Sequence, residues 1–289
     1  HRAELIAISH TTKPNVLIEG LSEGLLATFR DRALVDEYAV YEQLMSYWND
    51  SMHDDVALIM SEGWDGAAKP RRTIEDKDRK LSEVPDLVIG SGRSASKFKM
   101  DLVPPALVVA RYFAEEQARL DDLNAEVENA GQAVTEFVEE NSGEEGLLAE
   151  AMDDGKISKA LAAARLKVAR AERADAEEVA ALTTLVGLYN AETDAKKQVK
   201  DAAAALDAAT IAQYGKLSTA DVQLLVIDDK WGATGARGVG GEPGLHLQQL
   251  GSRLATLGER YDSTLADIES EVESLNARVA LHLVEMGVR

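Results

Sequence analysis

The sequence predicts a mainly α-helical protein in which long antiparallel helices form a coiled-coil arm. The first observation is that no proline occurs between Pro105 and Pro243. Proline removes a backbone donor and clashes inside a helix, so a proline-free stretch rich in Ala, Glu, Leu and Lys favours helix. The second observation is that the apolar residues of this stretch recur at heptad spacing. Three long helices are therefore expected, each spanning about 50 Å when roughly 35 residues rise about 1.5 Å each.

The heptad-like stripes define these three helices. The first carries Leu120, Leu123, Val127, Ala130, Val134 and Phe137. The second, from about Asp175 to Tyr214, carries Val179, Leu182, Val186 and Tyr189. The third, from about Leu250, carries Leu254, Leu257, Tyr261, Leu265, Ile268, Val272, Leu275, Val279, Leu283 and Met286. Between the second and third helices, Ser218 and Asp221 have the spacing of a capping box that opens a short helix ending at Trp231.

We predict three regions. Residues 1–62 form a helical region, residues 63–105 an irregular segment with a β-hairpin, and residues 106–289 the coiled-coil module. In the middle region, glycines interrupt the helical period, and Leu87 to Ile89 and Lys97 to Leu102 read as short strands around a Gly-Ser turn. The helix of the last region is expected to start at Pro104-Pro105, because proline is favoured in the first helical turn.

Composition excludes several classes of function. The chain of 289 residues is 45% hydrophobic and 28% charged, which is typical of a globular protein. It has no cysteine, so disulfides, thiolate metal sites and cysteine nucleophiles are excluded. No aliphatic stretch reaches the length of a membrane span and no signal-peptide pattern opens the chain. We expect a soluble cytoplasmic protein, and the start at His1 suggests a segment of a longer one.

No residue constellation predicts catalysis. No two of the five histidines have the i, i+4 spacing of a helical zinc pair. His53, Asp54 and Asp55 form a candidate metal cluster, but neighbouring side chains on a helix diverge by about 100°, which favours a polar helix end. The glycine-rich stretch Gly232 to Gly244 has neither a preceding strand nor a Walker lysine, and it is interpreted as a flexible loop.

The basic residues are concentrated in one segment of a very acidic chain. The net charge is −20, whereas residues 69–99 carry nine basic and five acidic residues, or +4. A local positive surface can face phosphates while the acidic remainder repels them. The alternative is ordinary loop charge. We name this segment the basic segment. Its candidate contacts to a DNA backbone are Lys69, Arg71, Arg72, Arg79, Arg93, Lys97 and Lys99.

The apolar stripe of the last helix is the candidate subunit interface. A heptad stripe cannot be satisfied in water, so each long helix needs a partner. That partner can be a helix of this chain, a second copy or another protein. We expect internal pairing together with one stripe left for an outside helix. The candidate interface residues are Leu265, Ile268, Val272, Leu275, Val279, Leu283 and Met286.

Three blocks carry a resemblance to a known family. Residues 36–48 (DEYAVYEQLMSYW), residues 97–113 (KFKMDLVPPALVVARYF) and residues 228–231 (DDKW) resemble blocks of the modification subunit of type I restriction-modification systems. The resemblance spans nearly the whole chain, and the middle block is long and specific. At Gly232 to Gly251 the chain departs from the continuous helix that the resemblance leads us to expect.

The resemblance implies the C-terminal portion of a DNA adenine-N6 methyltransferase subunit. The family's catalytic Asn-Pro-Pro-Tyr/Phe motif and its cofactor loop are missing, since Pro104-Pro105 follows Val103. The chain alone is therefore expected to have no catalytic residue, cofactor or metal, and S-adenosylmethionine would belong to the parent protein. The implied partners are the specificity subunit, a second modification subunit, the restriction subunit and DNA. The implied role is assembly and closure around DNA.

Two alternatives stay open at this point. One is a structural coiled-coil adaptor with no DNA role. It differs from the assembly and DNA-closure role because it makes no use of the basic segment. The other is a metal enzyme built on His53, Asp54 and Asp55. The target DNA sequence and the stoichiometry are not contained in the sequence.

Overall fold

The predicted helical class is confirmed by the computed structural model of the chain. The structure describes residues 1–30, 36–73, 83–90, 92, 95–143, 146–153, 155–237, 252–257 and 265–287. These residues form helices throughout, apart from one small antiparallel sheet. Among them, no helix combines the length and the apolar character needed to cross a bilayer.

The chain divides into two compact units. The first unit contains His1–Leu5, Thr12–Asp54 and Trp231–Arg289, and the second contains Ile6–Thr11 and Asp55–Lys230. The division into three regions at residues 62 and 105 was drawn from sequence pattern, and it stays a prediction.

Helices of the first unit follow local start signals. Pro14 occupies the first turn of α2, where its missing N–H costs nothing. Asp36 caps α3, since its carboxylate accepts a hydrogen bond from the Tyr38 N–H at 2.9 Å. α2 and α3 pack together and bury Leu17, Leu21 and Val40. The helices of this part of the chain are α1 (Arg2–Ile6), α2 (Pro14–Phe29), α3 (Glu37–Tyr47), a π-helical turn (Trp48–Met52) and α4 (His53–Ala67).

A three-stranded sheet stands in the predicted irregular segment. The strands are β1 (Arg71–Arg72), β2 (Leu87–Ile89) and β3 (Ser96–Lys99), in the order β1-β3-β2. Both neighbours of β3 are antiparallel to it. The β2–β3 hairpin was predicted, but its second strand ends at Lys99, three residues before the predicted Leu102. Gly90 lies at a φ of 89°, where a side chain would be strained. β1 was not predicted, because two residues are too few for a periodic signal.

The second unit is dominated by four helices. Pro104 caps α5 and Pro105 begins it, as the Pro-Pro pair predicted. α8 begins one residue after the predicted Asp175, which serves as its N-cap, and ends at the predicted Tyr214. Its 39 residues span about 58 Å at about 1.5 Å per residue. The bounds are α5 (Pro105–Tyr112), α6 (Ala114–Asn141), α7 (Lys159–Glu172) and α8 (Ala176–Tyr214).

α6 and α8 form the predicted antiparallel pair. Near the start of α6, Leu123 lies beside Ala202 and Leu206 of α8. Toward the end of α6, Val134 shares a core with Leu182 of α8. The predicted stripe of α6 from Leu120 to Phe137 is its inward face, since all six residues are buried or half-buried.

α7 makes one half of this pair a three-helix bundle. It runs antiparallel to α8 and contributes Ala162, Leu166 and Ala169 to the core. Leu182 and Leu185 of α8 are fully buried there. On the far side of the N-terminal end of α7, the arm continues as α6 and α8 alone.

The segment after α8 is helical for longer than predicted. The Ser218–Asp221 capping box forms as expected and opens α9 (Thr219–Leu224). A π-helix then spans Leu225–Gly232, and residues 233–237 are also helical. The predicted helix end at Trp231 is therefore wrong, because the backbone keeps a helical path through five more residues after Gly232. Residues 238–251 lie outside the described part of the chain.

Candidate subunit and DNA interfaces

The candidate subunit interface lies on α10 (Leu265–Glu285). Its stripe is exposed along its length, from 43% at Leu283 to 56% at Val279, and Met286 just after the helix is 76% exposed. Ile268, Val272 and Leu275 are each close to half exposed. The side chain of Leu265 lies outside the described residues. Single exposed aliphatic residues are ordinary, but a row of them on one helix face marks an interaction surface.

Acidic residues flank the first half of this stripe. Asp267, Glu269, Glu271 and Glu273 alternate with the apolar positions, while Arg278 and His282 come later. In coiled coils, charges beside the apolar stripe select the partner and its orientation. The surface on α10 therefore combines an apolar row with a negative flank.

One face of the sheet carries three of the candidate basic residues, whereas Arg72, opposite Phe98, is on the other face. Directly opposite residues of an antiparallel pair point to the same face, so Arg71, Lys99 and Lys97 share one face. Leu87, on the other face, is buried, and its strand β2 packs against α8. The sheet thus covers one side of the arm and presents its charged side outward.

Two of the candidate DNA contacts have carboxylate partners on this face. The Arg71 guanidinium donates to both oxygens of Glu83 at 2.6 and 2.8 Å. It also donates to Asp101 at 2.5 and 2.9 Å. These hydrogen bonds raise the pKa of Arg71, so its charge is fixed but already surrounded by acceptors. Lys99 donates to Asp86 at 2.7 Å, and Asp86 also accepts the Met100 N–H.

The remaining candidate contacts differ in position. Lys69 and Arg72 are exposed, and Lys97 is half-buried in β3. Arg79 and Arg93 lie outside the described residues. The charged face therefore carries acidic as well as basic groups, and the contacts with DNA stay a prediction.

Two of the three blocks that carry the family resemblance, residues 97–113 and 228–231, contact each other. Arg111 of the middle block donates to both oxygens of Asp229 at 2.6 and 2.7 Å. This pairing raises the pKa of Arg111. Lys230, the next residue of the last block, donates to the Leu102 carbonyl at 2.9 Å. Two short sequence blocks that are more than a hundred residues apart thus form one contact network.

A buried ion pair completes this network. The Lys230 ammonium lies 2.8 Å from a carboxylate oxygen of Asp55, and their side chains are 15% and 6% exposed. The π-helix places Asp229 and Lys230 so that both form long-range ion pairs. Sequence reasoning missed Asp55 in this role, because an aspartate beside His53 and Asp54 has no pattern that distinguishes it from a surface acid.

Two tyrosines attach the neighbouring helices. The Tyr214 hydroxyl, at the end of α8, donates to the Val103 carbonyl at 2.6 Å, and burial raises its pKa. Burial likewise raises the pKa of Tyr112, which is also hydrogen bonded to Asp221. The Asp221 carboxylate accepts the Ser218 hydroxyl and N–H, and these bonds lower its pKa. The end of α8 is thereby joined to the residue before Pro104, and the end of α5 to the first turn of α9.

The side chains of the candidate metal cluster, His53, Asp54 and Asp55, do not converge on one position where a metal ion could bind. Asp55 is the partner of Lys230, as described above. His53 is exposed, lies 3.6 Å from Asp54 and stands edge-on to Trp48 with a ring-centre distance of 5.7 Å. Within the described part of the chain, no group of three or more His, Asp or Glu residues is placed to hold a metal ion.

Comparison with known proteins gives no relative. No protein-family model, no curated protein and no solved structure matches the chain.

Proposed function

We propose that this chain is the C-terminal assembly and DNA-clamping region of a type I restriction-modification methyltransferase subunit. In this proposal it works in the cytoplasm and docks on the specificity subunit by helix packing. The second modification subunit, the restriction subunit and DNA complete the assembly. The parent protein would methylate adenine N6 with S-adenosylmethionine, using a catalytic region that is not part of this sequence.

The exposed stripe of α10 is the observation that carries the proposal. Covering the side chains from Ile268 to Leu283 with an outside helix would remove apolar surface from water at about 25 cal/mol per Å². Because each of these side chains is only about half exposed, burying one contributes about 1 kcal/mol, roughly half of the value for a fully exposed side chain. Because several of them lie on one face of one helix, a partner helix can cover them together.

The contacts between the resemblance blocks give a second line of support. Arg111 binds Asp229, and Lys230 binds both Asp55 and the Leu102 carbonyl. Asp55 and Lys230 are largely buried in the second unit, and Arg111 and Asp229 are about one-third exposed beside them. This is the position expected of segments that define a fold, whereas the proposed docking helix projects its apolar row to solvent.

The docking proposal is tested with paired valine variants of α10. Val272 belongs to the stripe, and Val284 is even more exposed, at 75%, but lies off it. The chain is co-expressed with its cognate specificity subunit, and co-purification is measured. We expect V272D to lose co-purification and V284D to retain it.

Circular dichroism of both variants verifies that helix content is equal. Equal co-purification of V272D, V284D and the unaltered chain would overturn docking through this stripe. Failure of the unaltered chain to co-purify, when the full-length modification subunit does, would overturn the docking role of the whole segment.

A structural coiled-coil adaptor is the second candidate. It is favoured by the pairing of Arg71 with Glu83 and Asp101, and of Lys99 with Asp86, because these carboxylates compete with phosphates for the same donors. An adaptor would assemble through α10 without any salt-dependent DNA contact. DNA affinity of the assembled complex as a function of salt separates the two candidates.

A further inference from the structure

The face of α8 that packs on α7 changes its chemistry where α7 ends. The positions are spaced 3-4-3-4-3-4 along one stripe, so they lie on one side of the helix. In chain order they are Val179, Leu182, Val186, Tyr189, Thr193, Lys196 and Lys200. The first four are apolar or aromatic and are buried or half-buried. The last three are polar and exposed.

Lys159 marks the point of change. It is the first residue of α7 and precedes Ala162, Leu166 and Ala169, the buried residues of that helix, at the same heptad spacing. Its ammonium donates to the Thr193 hydroxyl at 3.1 Å. The apolar contact between α7 and α8 thus ends in a lysine from one helix that reaches a threonine on the other.

Lysines then follow one another along α8. Lys196, Lys197 and Lys200 are all within two turns of Thr193 and are exposed. Together with Lys159 they form what we call the lysine face. Lys196 is bound by Glu192 at 2.5 Å, whereas Lys197 and Lys200 extend from the exposed side of the arm.

The acidic residues of this part of α8 lie to the sides. Glu192 is turned toward Gly131 of α6. Asp201 lines the groove that also contains Glu116 and Arg119 of α6. Asp194 is adjacent to Thr193 and therefore about 100° around the helix from it. Residues 192–201 of α8 carry three basic and three acidic groups, and Asp194 and Asp201 are the i−3 and i+4 neighbours of Lys197. With Lys159 the face has four basic groups against these three acidic ones, a net charge of +1.

We infer that the lysine face, composed of Lys159, Lys196, Lys197 and Lys200, binds the phosphate backbone of double-stranded DNA. The inference rests on the DNA role in the proposed function and assigns it to residues outside the basic segment. A third helix does not suit this site, because the stripe carries lysines where a packed helix would need apolar side chains.

The chemistry of DNA matches the site in two respects. DNA carries about one negative charge per 1.7 Å of its axis, so the roughly 10 Å of α8 from Thr193 to Lys200 faces several phosphates. Lysine ammonium groups on flexible stems contact phosphates as point charges and read no sequence.

The test is a salt titration of DNA binding with matched charge variants of the complete chain. The first variant is K159Q/K197Q/K200Q. Its control, K13Q/K216Q/R253Q, removes the same charge from three exposed positions elsewhere. A third variant, K69Q/R72Q/K97Q, alters the basic segment. Binding to a labelled duplex is measured between about 50 and 200 mM salt, with circular dichroism to verify folding.

We expect the first variant to lower the slope of log K against log salt by about 2 to 3, since each lost phosphate contact removes about 0.9. The control is expected to keep the slope of the unaltered chain. Poly-L-glutamate that competes as well as duplex DNA at equal charge would overturn the assignment to DNA.

The other outcomes separate this inference from the proposed function. A slope that changes only in K69Q/R72Q/K97Q would overturn the lysine face and leave the DNA role standing. If all three variants kept the salt slope of the unaltered chain, or if the unaltered chain did not bind DNA, both the inference and the DNA part of the proposal would be overturned. The docking role has its own readout in the α10 variants.

Discussion

Arg111 and Asp229 form a bidentate ion pair across 118 positions of the chain, with both N–H···O distances at or below 2.7 Å. The two side chains are about one-third exposed, at 33% and 28%. A guanidinium and a carboxylate fit each other in a planar fork, which adds direction to the charge attraction. The pair attaches the end of α5 to the π-helix that follows α9.

Replacing Arg111 by lysine tests this fork. The charge is kept but the second hydrogen bond is lost, so we expect the free energy of unfolding to fall by about 1 kcal/mol, a value reduced for partial exposure. Urea unfolding followed by circular dichroism gives the measurement. The control is R237K, since the hydrogen bond of Arg237 among the described residues goes to Thr234 in its own helical turn, and the variant should not change stability. Equal midpoints for the two variants would contradict the importance of the fork.

The buried pair of Asp55 and Lys230 has a larger predicted effect. Removing one partner leaves the other buried without its counter-charge, which costs about 3 kcal/mol. We therefore expect D55L or K230M to be strongly destabilised. The double variant D55L/K230M should lie within about 1 kcal/mol of the unaltered chain, because two apolar groups of similar size replace both charges.

Chemical denaturation of the two single variants and the double variant forms the double-mutant cycle. K196M is the matched control, because Lys196 is 60% exposed and its partner Glu192 lies one turn away on the same helix. It should cost no more than about 0.5 kcal/mol. Additive losses in the double variant would show that Asp55 and Lys230 do not act as a pair.

The capping box of α9 predicts a pH dependence of stability. Hydrogen bonds from Ser218 hold the pKa of Asp221 below its ordinary value of 3.8. The Asp221 carboxyl therefore ionises more readily in the folded chain than in the unfolded chain, and its ionisation stabilises the fold. The resulting stability is complete above the unfolded pKa, and it is lost as pH falls through the folded one. D221N should lower the unfolding free energy at pH 7, and the difference should shrink below about pH 4.

S218A serves as the companion variant, because it removes the hydroxyl that caps the helix and should cost about 1 kcal/mol. Thermal melts at pH 7 and at pH 3 measure both effects. A difference between D221N and the unaltered chain that stays constant over this range would be inconsistent with a role for the ionised carboxylate.

Thr210 offers a stabilising substitution. Its hydroxyl is buried, the residue is 1% exposed, and no hydrogen-bond partner for the oxygen exists among the described residues. T210V keeps the branched shape and removes a polar group that has lost its water, so we expect a gain of about 1 kcal/mol. T135V is the control, because the Thr135 hydroxyl is exposed and bound to the Gly131 carbonyl. The urea midpoints of the two variants are compared. A lower midpoint for T210V than for the unaltered chain would contradict the expected gain and indicate that the hydroxyl has a partner.

Much of the second unit was predictable because its signals are local. The apolar period of α6, the Asp175 cap and extent of α8, the Pro104-Pro105 start of α5 and the capping box at Ser218 all depend on residues within a few turns of each other. The β2–β3 hairpin follows from its apolar run and its glycine turn. The two-residue strand β1 and the π-helices had no such local pattern, and sequence reasoning did not find them.

The candidate sites were less accessible to sequence reasoning. Counting charges between Lys69 and Lys99 identified a basic segment, but it could not place Glu83, Asp86 and Asp101 against Arg71 and Lys99. Nor could it show that Lys159 reaches Thr193 from another helix. Ion pairs and charged faces of this kind join residues that are distant in sequence, so only the tertiary fold decides which charges neutralise each other.

The sequence by itself determined that this protein is built from long amphipathic helices, because a repeating apolar stripe is a property of a helix and its neighbours along the chain. The tertiary structure decided which stripes are covered. The stripe of α6 packs against α8, with Val134 8% exposed, whereas Val272 on the similar stripe of α10 is 50% exposed. The reason is physical: periodicity sets which side chains share a face, while burial depends on which other surface reaches that face.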